Sequence, residues 1–145
     1  MKILVDADAC PVKDIILDLA KQQKLKVIWV VSLNHYSRRE DPVQVVGVDA
    51  LPQAVDIALI NRVEPMDIVV TQDYGLAALV LGKKGKAISP TGYIFTERTL
   101  DSLLEKRHLR ATARRAGFKI KGPRKRDLKD DQRFRRNLIN LLNGE

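Results

Sequence analysis

Short apolar runs that do not alternate with polar residues restrict the fold of this chain more than any other feature. Ile3-Leu4-Val5, Val27 to Val31 around Trp29, and Ile68-Val69-Val70-Thr71 are such runs, and helical patterns lie between them. A strand that is apolar on both faces has to be covered on both, which indicates a mostly parallel sheet carrying helices on its two sides. Val43-Gln44-Val45-Val46, ending near Gly47, reads as a further strand, and Lys86 to Ile88 as a fifth. The spacing of Val12, Ile15, Ile16 and Leu19 predicts a helix opening at Pro11, where a missing N–H costs nothing. A second helix is expected from Pro52 to about Val63, stopped by Glu64-Pro65, and a short third from Leu76 to Leu81, closed by Gly82. The fold class is therefore α/β, with a sheet of about four or five strands.

After Ser89-Pro90-Thr91-Gly92 the pattern changes to helix alone. A helix from about Thr99 to Ala116 presents Leu100, Leu103, Leu104 and Ala111 on one face, with Gly117 as its cap. A basic connector from Lys119 to Arg126 follows, then a last helix with Phe134, Leu138, Leu141 and Leu142 at helical spacing. At 145 residues the chain fits a single domain, 1–145, with an α/β core over 1–95 and a basic helical extension over 96–145 packed on it. The one cysteine, Cys10, excludes an internal disulfide and is expected to be a small buried residue. With no signal-peptide pattern and no apolar run of about 18 residues, the expectation is a soluble cytoplasmic protein.

The net charge of +8 is unevenly placed. From Arg98 to Arg136 there are fifteen Lys/Arg against five Asp/Glu, a local +10, so the remainder carries −2. Such a face binds phosphates by releasing their counterions, and nucleic acid is the expected partner. Arg107, Arg110, Arg114 and Arg115, with Arg124, Lys125 and Arg126, are the candidate phosphate contacts. Few aromatics lie among them, which favours sequence-tolerant backbone contact over base stacking.

Against that basic background, four aspartates sit where an α/β chain carries them to one place. Asp6 and Asp8 leave the first strand at its carboxyl end and Asp73 leaves the strand at 68–71, the end where open parallel sheets bind ligands. Asp56 shares a helix face with Leu59, Ile60 and Val63, so its carboxylate lies on or beside the core stripe. Asp67 precedes its strand and belongs at the opposite end. Two like charges about 4 Å apart repel by about 4 kcal/mol at an effective dielectric of 20, so a carboxylate cluster calls for a cation. Oxygen-only ligands suit Mg²⁺ or Mn²⁺. One or two such ions can polarise a phosphodiester and lower the pKa of an attacking water. The Thr71 hydroxyl, two residues before Asp73, is placed to orient a ligand or water. His35, on the loop after the second strand, faces the site side; His108, Lys13, Asp14 and Asp18 read as surface residues. Asp127, Asp130 and Asp131 would join the site only if the tail folded back.

Four segments resemble the YaiI/YqxD family: Val5-Asp6-Ala7-Asp8-Ala9-Cys10-Pro11-Val12-Lys13, Ala54-Val55-Asp56, Asp67 to Ala77, and Arg133-Phe134. The resemblance spans nearly the whole chain. That family is regarded as similar to PIN domains, which implies a PIN-like three-layer sandwich with an acidic Mg²⁺/Mn²⁺ site. Carried over by position, the pattern implies Asp6 at the end of the first strand, an acid on a following helix at Asp56, and Asp73 within the Thr-x-Asp match at Thr71 to Asp73. Asp8 belongs to the YaiI/YqxD opening and not to the general PIN pattern. PIN nucleases usually add another acid soon after Thr-x-Asp, whereas residues 74–85 contain none; Asp8 substitutes for it, or the site holds one ion.

The expected function is Mg²⁺- or Mn²⁺-dependent phosphodiester hydrolysis, of RNA before DNA, with Asp6, Asp8, Asp56 and Asp73 as ligands. A competing reading is a phosphatase of the haloacid-dehalogenase type, since Asp6-x-Asp8 resembles its nucleophile and acid pair. Cys10 stands where that chemistry expects Thr or Val. A third is a non-catalytic nucleic-acid-binding module.

Overall fold

Successive residues of the first strand enter different cores. In β1 (Lys2–Asp6), Ile3 and Val5 join one cluster and Leu4 another, and all three are fully buried. The computed structural model describes residues 1–32, 44–49, 51, 53–120, 122 and 124–144. Among these, the elements are six strands and five α-helices: β1, a short 3-10 turn (Ala7–Ala9), α1 (Lys13–Gln23), β2 (Lys26–Ser32), β3 (Gln44–Val48), α2 (Ala54–Ile60), β4 (Ile68–Val70), α3 (Tyr74–Gly82), β5 (Lys86–Ile88), β6 (Ile94–Phe95), α4 (Glu97–Arg115) and α5 (Leu128–Leu142). Among the described residues, no helix is long and apolar enough to cross a membrane.

The sheet order is β3-β2-β1-β4-β5-β6, parallel throughout except for the last pair. Chain order therefore reverses between β1 and β4, where Ile3 pairs with Ile68 and Val5 with Val70. The first core takes Ile16 and Leu19 of α1 and Phe134, Leu138 and Leu141 of α5. The second takes Leu59 of α2, Leu76 and Val80 of α3, and Leu100 of α4.

Several boundaries differ from the expectation. The sheet has a sixth strand, because Ile94–Phe95 is too short to give a periodic signal. It is held by the turn before it, in which Tyr93 O accepts from Ser89 N at 2.8 Å and Ser89 O accepts from Gly92 N at 2.9 Å. Helix α1 starts at Lys13, after a Pro11-Val12 turn, and α2 is shorter than 52–63 at both ends. Pro52, Val43 and the 33–43 loop with His35 lie outside the described residues. Helix α4 starts two residues early because Thr96 and Thr99 form a reciprocal cap. Its expected apolar face is mostly not a face: Leu100 is buried and Leu103 half-buried, but Leu104 and Ala111 are exposed. One turn anchors this helix, and the rest of it extends along the molecular surface.

Helix α5 is part of the first core, with Phe134 and Leu138 fully buried. It docks on the 89–93 turn, where Asn137 Nδ2 donates to Gly92 O at 2.6 Å and Arg126 Nη1 to Pro90 O at 2.7 Å. Gly92 has φ +89, and a Cβ there would stand 2.6 Å from Arg133 C and Phe134 N. Only glycine admits this approach.

Asp67 lies at the amino end of β4, away from the carboxyl ends. Its buried carboxylate accepts from Lys2 N (3.0 Å), Lys2 Nζ (2.6 Å) and Glu64 N (2.8 Å). Asp67→Ala removes all three hydrogen bonds, and chemical denaturation should show a loss of about 2 kcal/mol. That is below the roughly 3–5 kcal/mol of a fully buried pair, because the Lys2 head retains some water contact and a second partner in Glu64 at 3.5 Å.

Candidate active site

The reversal of strand order opens a crevice beyond the carboxyl ends of β1 and β4, the position in which α/β sheets bind ligands. Asp6 is the last residue of β1 and Asp73 follows β4 by three residues. Both line a cavity of about 800 Å³.

Thr71 links the two acids. Its buried hydroxyl donates to Asp6 Oδ2 at 3.3 Å and accepts from Asp73 N at 3.1 Å, which fixes the direction of the hydroxyl proton. Asp73 also caps α3, with Oδ1 accepting from Leu76 N at 3.1 Å. A cap worth about 1 kcal/mol accounts for one of its carboxylate oxygens.

Burial is the largest influence on Asp6 and pushes its pKa up; the Thr71 hydrogen bond opposes this, and the charges of Asp8 and Asp73 add to the rise. Asp56, on the first turn of α2, is pushed up to about 6, first by burial, then by the charges of Asp73 and Asp6, and by its hydrogen bond to Asp73. Three acids from β1, α2 and the β4–α3 junction thus sense one another's charge. Asp56 itself does not line the cavity.

Asp8 has a different place. Its Oδ1 accepts from Ser32 N at 2.8 Å, tying the turn after β1 to the end of β2, and it does not line the cavity. Cys10 is half-buried, and burial pushes its thiol up, contrary to an activated helix-start cysteine.

The opposite wall is helix α4. Lys106, Arg107, Arg110 and Arg114 line the same cavity as Asp6 and Asp73. Positions 107, 110 and 114 repeat along one helix face, rising roughly 4.5 and 6 Å between steps. None of these cations forms an ion pair among the described residues, so their charge is available to a ligand.

The other nominated cations lie elsewhere. Arg115 is exposed beside this face and bonds back to Ala111 O. Arg124 Nη2 donates to the buried Asp130 at 2.6 Å, and Arg126 pairs with Asp131. These two arginines, with Asp127, form the entry of α5 and stand in existing ion pairs; Lys125 is exposed. Asp130 is held below the ordinary carboxylate range, chiefly by Arg124 and then by the Asp127 backbone N–H. The tail acids therefore serve the α5 cap. Lys106, Gln72 and Tyr74 are cavity residues that the sequence reading passed over. Lys106 was accessible from helical spacing, one turn before Arg110.

The family model described as "Uncharacterized BCR, YaiI/YqxD family" matches residues 4–144. The chain belongs to the YaiI/YqxD family. Among its relatives, a UPF0178 protein of Clostridium kluyveri is 46% identical over 146 residues, covering 100% of this chain and 95% of its own length. A UPF0178 protein of Lachnoclostridium phytofermentans is 47% identical over 147 residues, covering 98% and 97%. One from Alkaliphilus metalliredigens is 41% identical over 142 residues, covering 98% and 92%. No solved structure matches the chain. Within this YaiI/YqxD chain, two of the segments that carried the resemblance supply the crevice's acids: the opening motif supplies Asp6, and Thr71-Gln72-Asp73 supplies Asp73. Asp8 and the Asp56 of Ala54-Val55-Asp56 stand outside its lining.

The donor set suits a hard cation, being carboxylate oxygen without His or Cys. Among the described residues, no three acidic, His or Cys groups form a ready-made cage. Mg²⁺ commonly binds through one or two carboxylates, keeps several waters and takes substrate phosphate as a further ligand, so a two-carboxylate face on an open crevice fits it.

Proposed function

We propose that this chain is a divalent-metal-dependent nuclease of PIN-like, three-layer architecture that hydrolyses phosphodiester bonds, RNA in preference to DNA. One observation carries the reading: a crevice at the strand-order reversal is lined by Asp6 and Asp73 on one side and, on the other, by Arg107, Arg110 and Arg114, which form no ion pair among the described residues. Carboxylates beside a polyanion make sense when a cation lies between them, and arginines aligned on one helix face make sense along a phosphate backbone.

Asp6 and Asp73 would hold Mg²⁺ or Mn²⁺, with Asp56 adding charge from the first turn of α2 and Asp8 bracing the turn against β2. Such an ion, when bound, supplies a Lewis acid for the phosphodiester and lowers the pKa of the attacking water. Thr71 holds both acids in register through its hydroxyl, a positioning role. Arg107, Arg110 and Arg114 bind and orient the substrate backbone, while Arg124, Lys125 and Arg126 lie outside the crevice.

The test is cleavage of labelled single-stranded RNA and of the matching DNA, with Mg²⁺ or Mn²⁺ and with the ion removed by EDTA. Turnover is expected with the ion and none without it. Thr71→Val should lower turnover about tenfold, the low end for a residue that orients ligands through hydrogen bonds. Absence of turnover with either ion rejects the proposal. If binding then persists and weakens steeply with salt, the chain is a binding module.

The phosphatase reading loses support from Asp8, whose carboxylate is tied to β2 and does not line the crevice. An aspartyl-phosphate trapped on Asp6 would restore it.

A further inference from the structure

Beside the crevice lies a second, smaller pocket of about 310 Å³, at the lower end of the roughly 300–1,000 Å³ of ligand sites. It shares Gln72, Tyr74 and Leu103 with the crevice, so the two adjoin. Three aromatic rings line it. Phe95 is buried, and the Tyr74 and Tyr93 rings are inclined to it by 60° and 67° at centroid distances of 5.9 and 5.6 Å. Tyr93 is 41% exposed.

We propose that this pocket takes one nucleobase of a single-stranded polynucleotide whose backbone lies along the α4 arginines. The proposal rests on reading the adjoining crevice as a polynucleotide site. Charge complementarity brings the backbone to α4, and the step from crevice to pocket is the step from phosphate to base. A π-face presented by Tyr93 accepts any base by stacking. The Gln72 amide, exposed at the junction of the two cavities, has no hydrogen-bond partner among the described residues and offers both donors and an acceptor to a base edge. Ser89 is already committed, since its Oγ accepts from Tyr93 N at 3.0 Å and contacts Thr91 Oγ1 at 2.9 Å. That arrangement holds Tyr93 in place. Duplex nucleic acid keeps its bases stacked and paired, so occupation of this pocket selects single strands or unpaired ends.

The experiment is equilibrium binding of a short fluorescein-labelled single-stranded RNA, without divalent ion so that the probe stays intact. One nucleotide at a time is replaced by an abasic residue. In the wild-type chain one position should show a penalty of about tenfold, the size of a lost stacking contact. Tyr93→Phe should keep the penalty and Tyr93→Ala should erase it. Equal tolerance of abasic residues at every position overturns the proposal, as does a penalty that survives in Tyr93→Ala. RNA that does not bind at all overturns it too. A base-dependent penalty in a protein that never cleaves RNA supports the pocket while rejecting the nuclease; cleavage without any penalty does the reverse.

Discussion

Gly92→Ala is expected to lower the stability of the protein by about 3–5 kcal/mol. The new Cβ would meet Arg133 C and Phe134 N at 2.6 Å, both backbone atoms with no rotamer to yield. Helix α5 must retreat, and Phe134, Leu138 and Leu141 then leave the core they share with β1 and α1. Emptying a phenylalanine site alone costs about 3–5 kcal/mol. Gly117 provides the control. Its φ is +92, close to the +89 of Gly92, but nothing lies within 4 Å of its would-be Cβ. Gly117→Ala should therefore cost only the left-handed backbone penalty of about 1–2 kcal/mol. Thermal unfolding followed by circular dichroism separates the two, at about 4 °C per kcal/mol for a chain of this size. Equal losses for both glycines would show that helix docking on the 89–93 turn is not what Gly92 provides.

Much of the fold was legible because its central strands are apolar on both faces. Ile3-Leu4-Val5 and Ile68-Val69-Val70 have no polar alternation to misread, and neighbours covered on two sides leave few architectures. Misreadings fell where local pattern competes with tertiary context. Ile94–Phe95 is a strand only because the Ser89–Tyr93 turn delivers it against β5. The α4 face was misjudged because Leu104 and Ala111 have helical spacing, yet no layer among the described residues covers them. At the site, Asp6 and Asp73 could be placed from the carboxyl-end rule. The facing of α4 toward them could not, since no local signal links residue 107 to residue 6. For the same reason Arg124 and Arg126 resembled free cations: their partners Asp130 and Asp131 were visible in sequence, but the helix cap that pairs them was not. The aromatic pocket beside the crevice was not legible either, because Tyr74, Tyr93 and Phe95 lie outside the basic segments and meet the crevice only through Gln72, Tyr74 and Leu103, which line both cavities.

Asp6→Asn and Asp73→Asn should each abolish metal-stimulated cleavage and also erase stabilisation by Mn²⁺. Without a cation, Asp6 and Asp56 both have raised pKa values, Asp56 at about 6 against an ordinary 3.8. Between those values the folded state holds a proton that the unfolded state has released, so stability falls as pH rises through about 6 and is fully restored below the unfolded value. Asp130 acts oppositely, but its pKa is depressed, so its contribution is lost only below about pH 4. The metal-free protein should accordingly unfold less readily at pH 5 than at pH 7.5. Asp56→Asn should remove most of that difference, with a gain at pH 7.5 of about 1 kcal/mol after allowance for solvent screening. Mn²⁺ should reverse the trend, because carboxylate ligands must be deprotonated to hold it. At 100 times its dissociation constant, the ion should add about 2.7 kcal/mol at pH 7.5 and much less at pH 5. Denaturant titrations at the two pH values, with and without Mn²⁺, read all of these effects. A wild-type protein whose stability does not respond to Mn²⁺ at pH 7.5 would leave the paired carboxylates without a cation to hold. Persistence of the full response in both Asn variants would place the ion elsewhere on the chain.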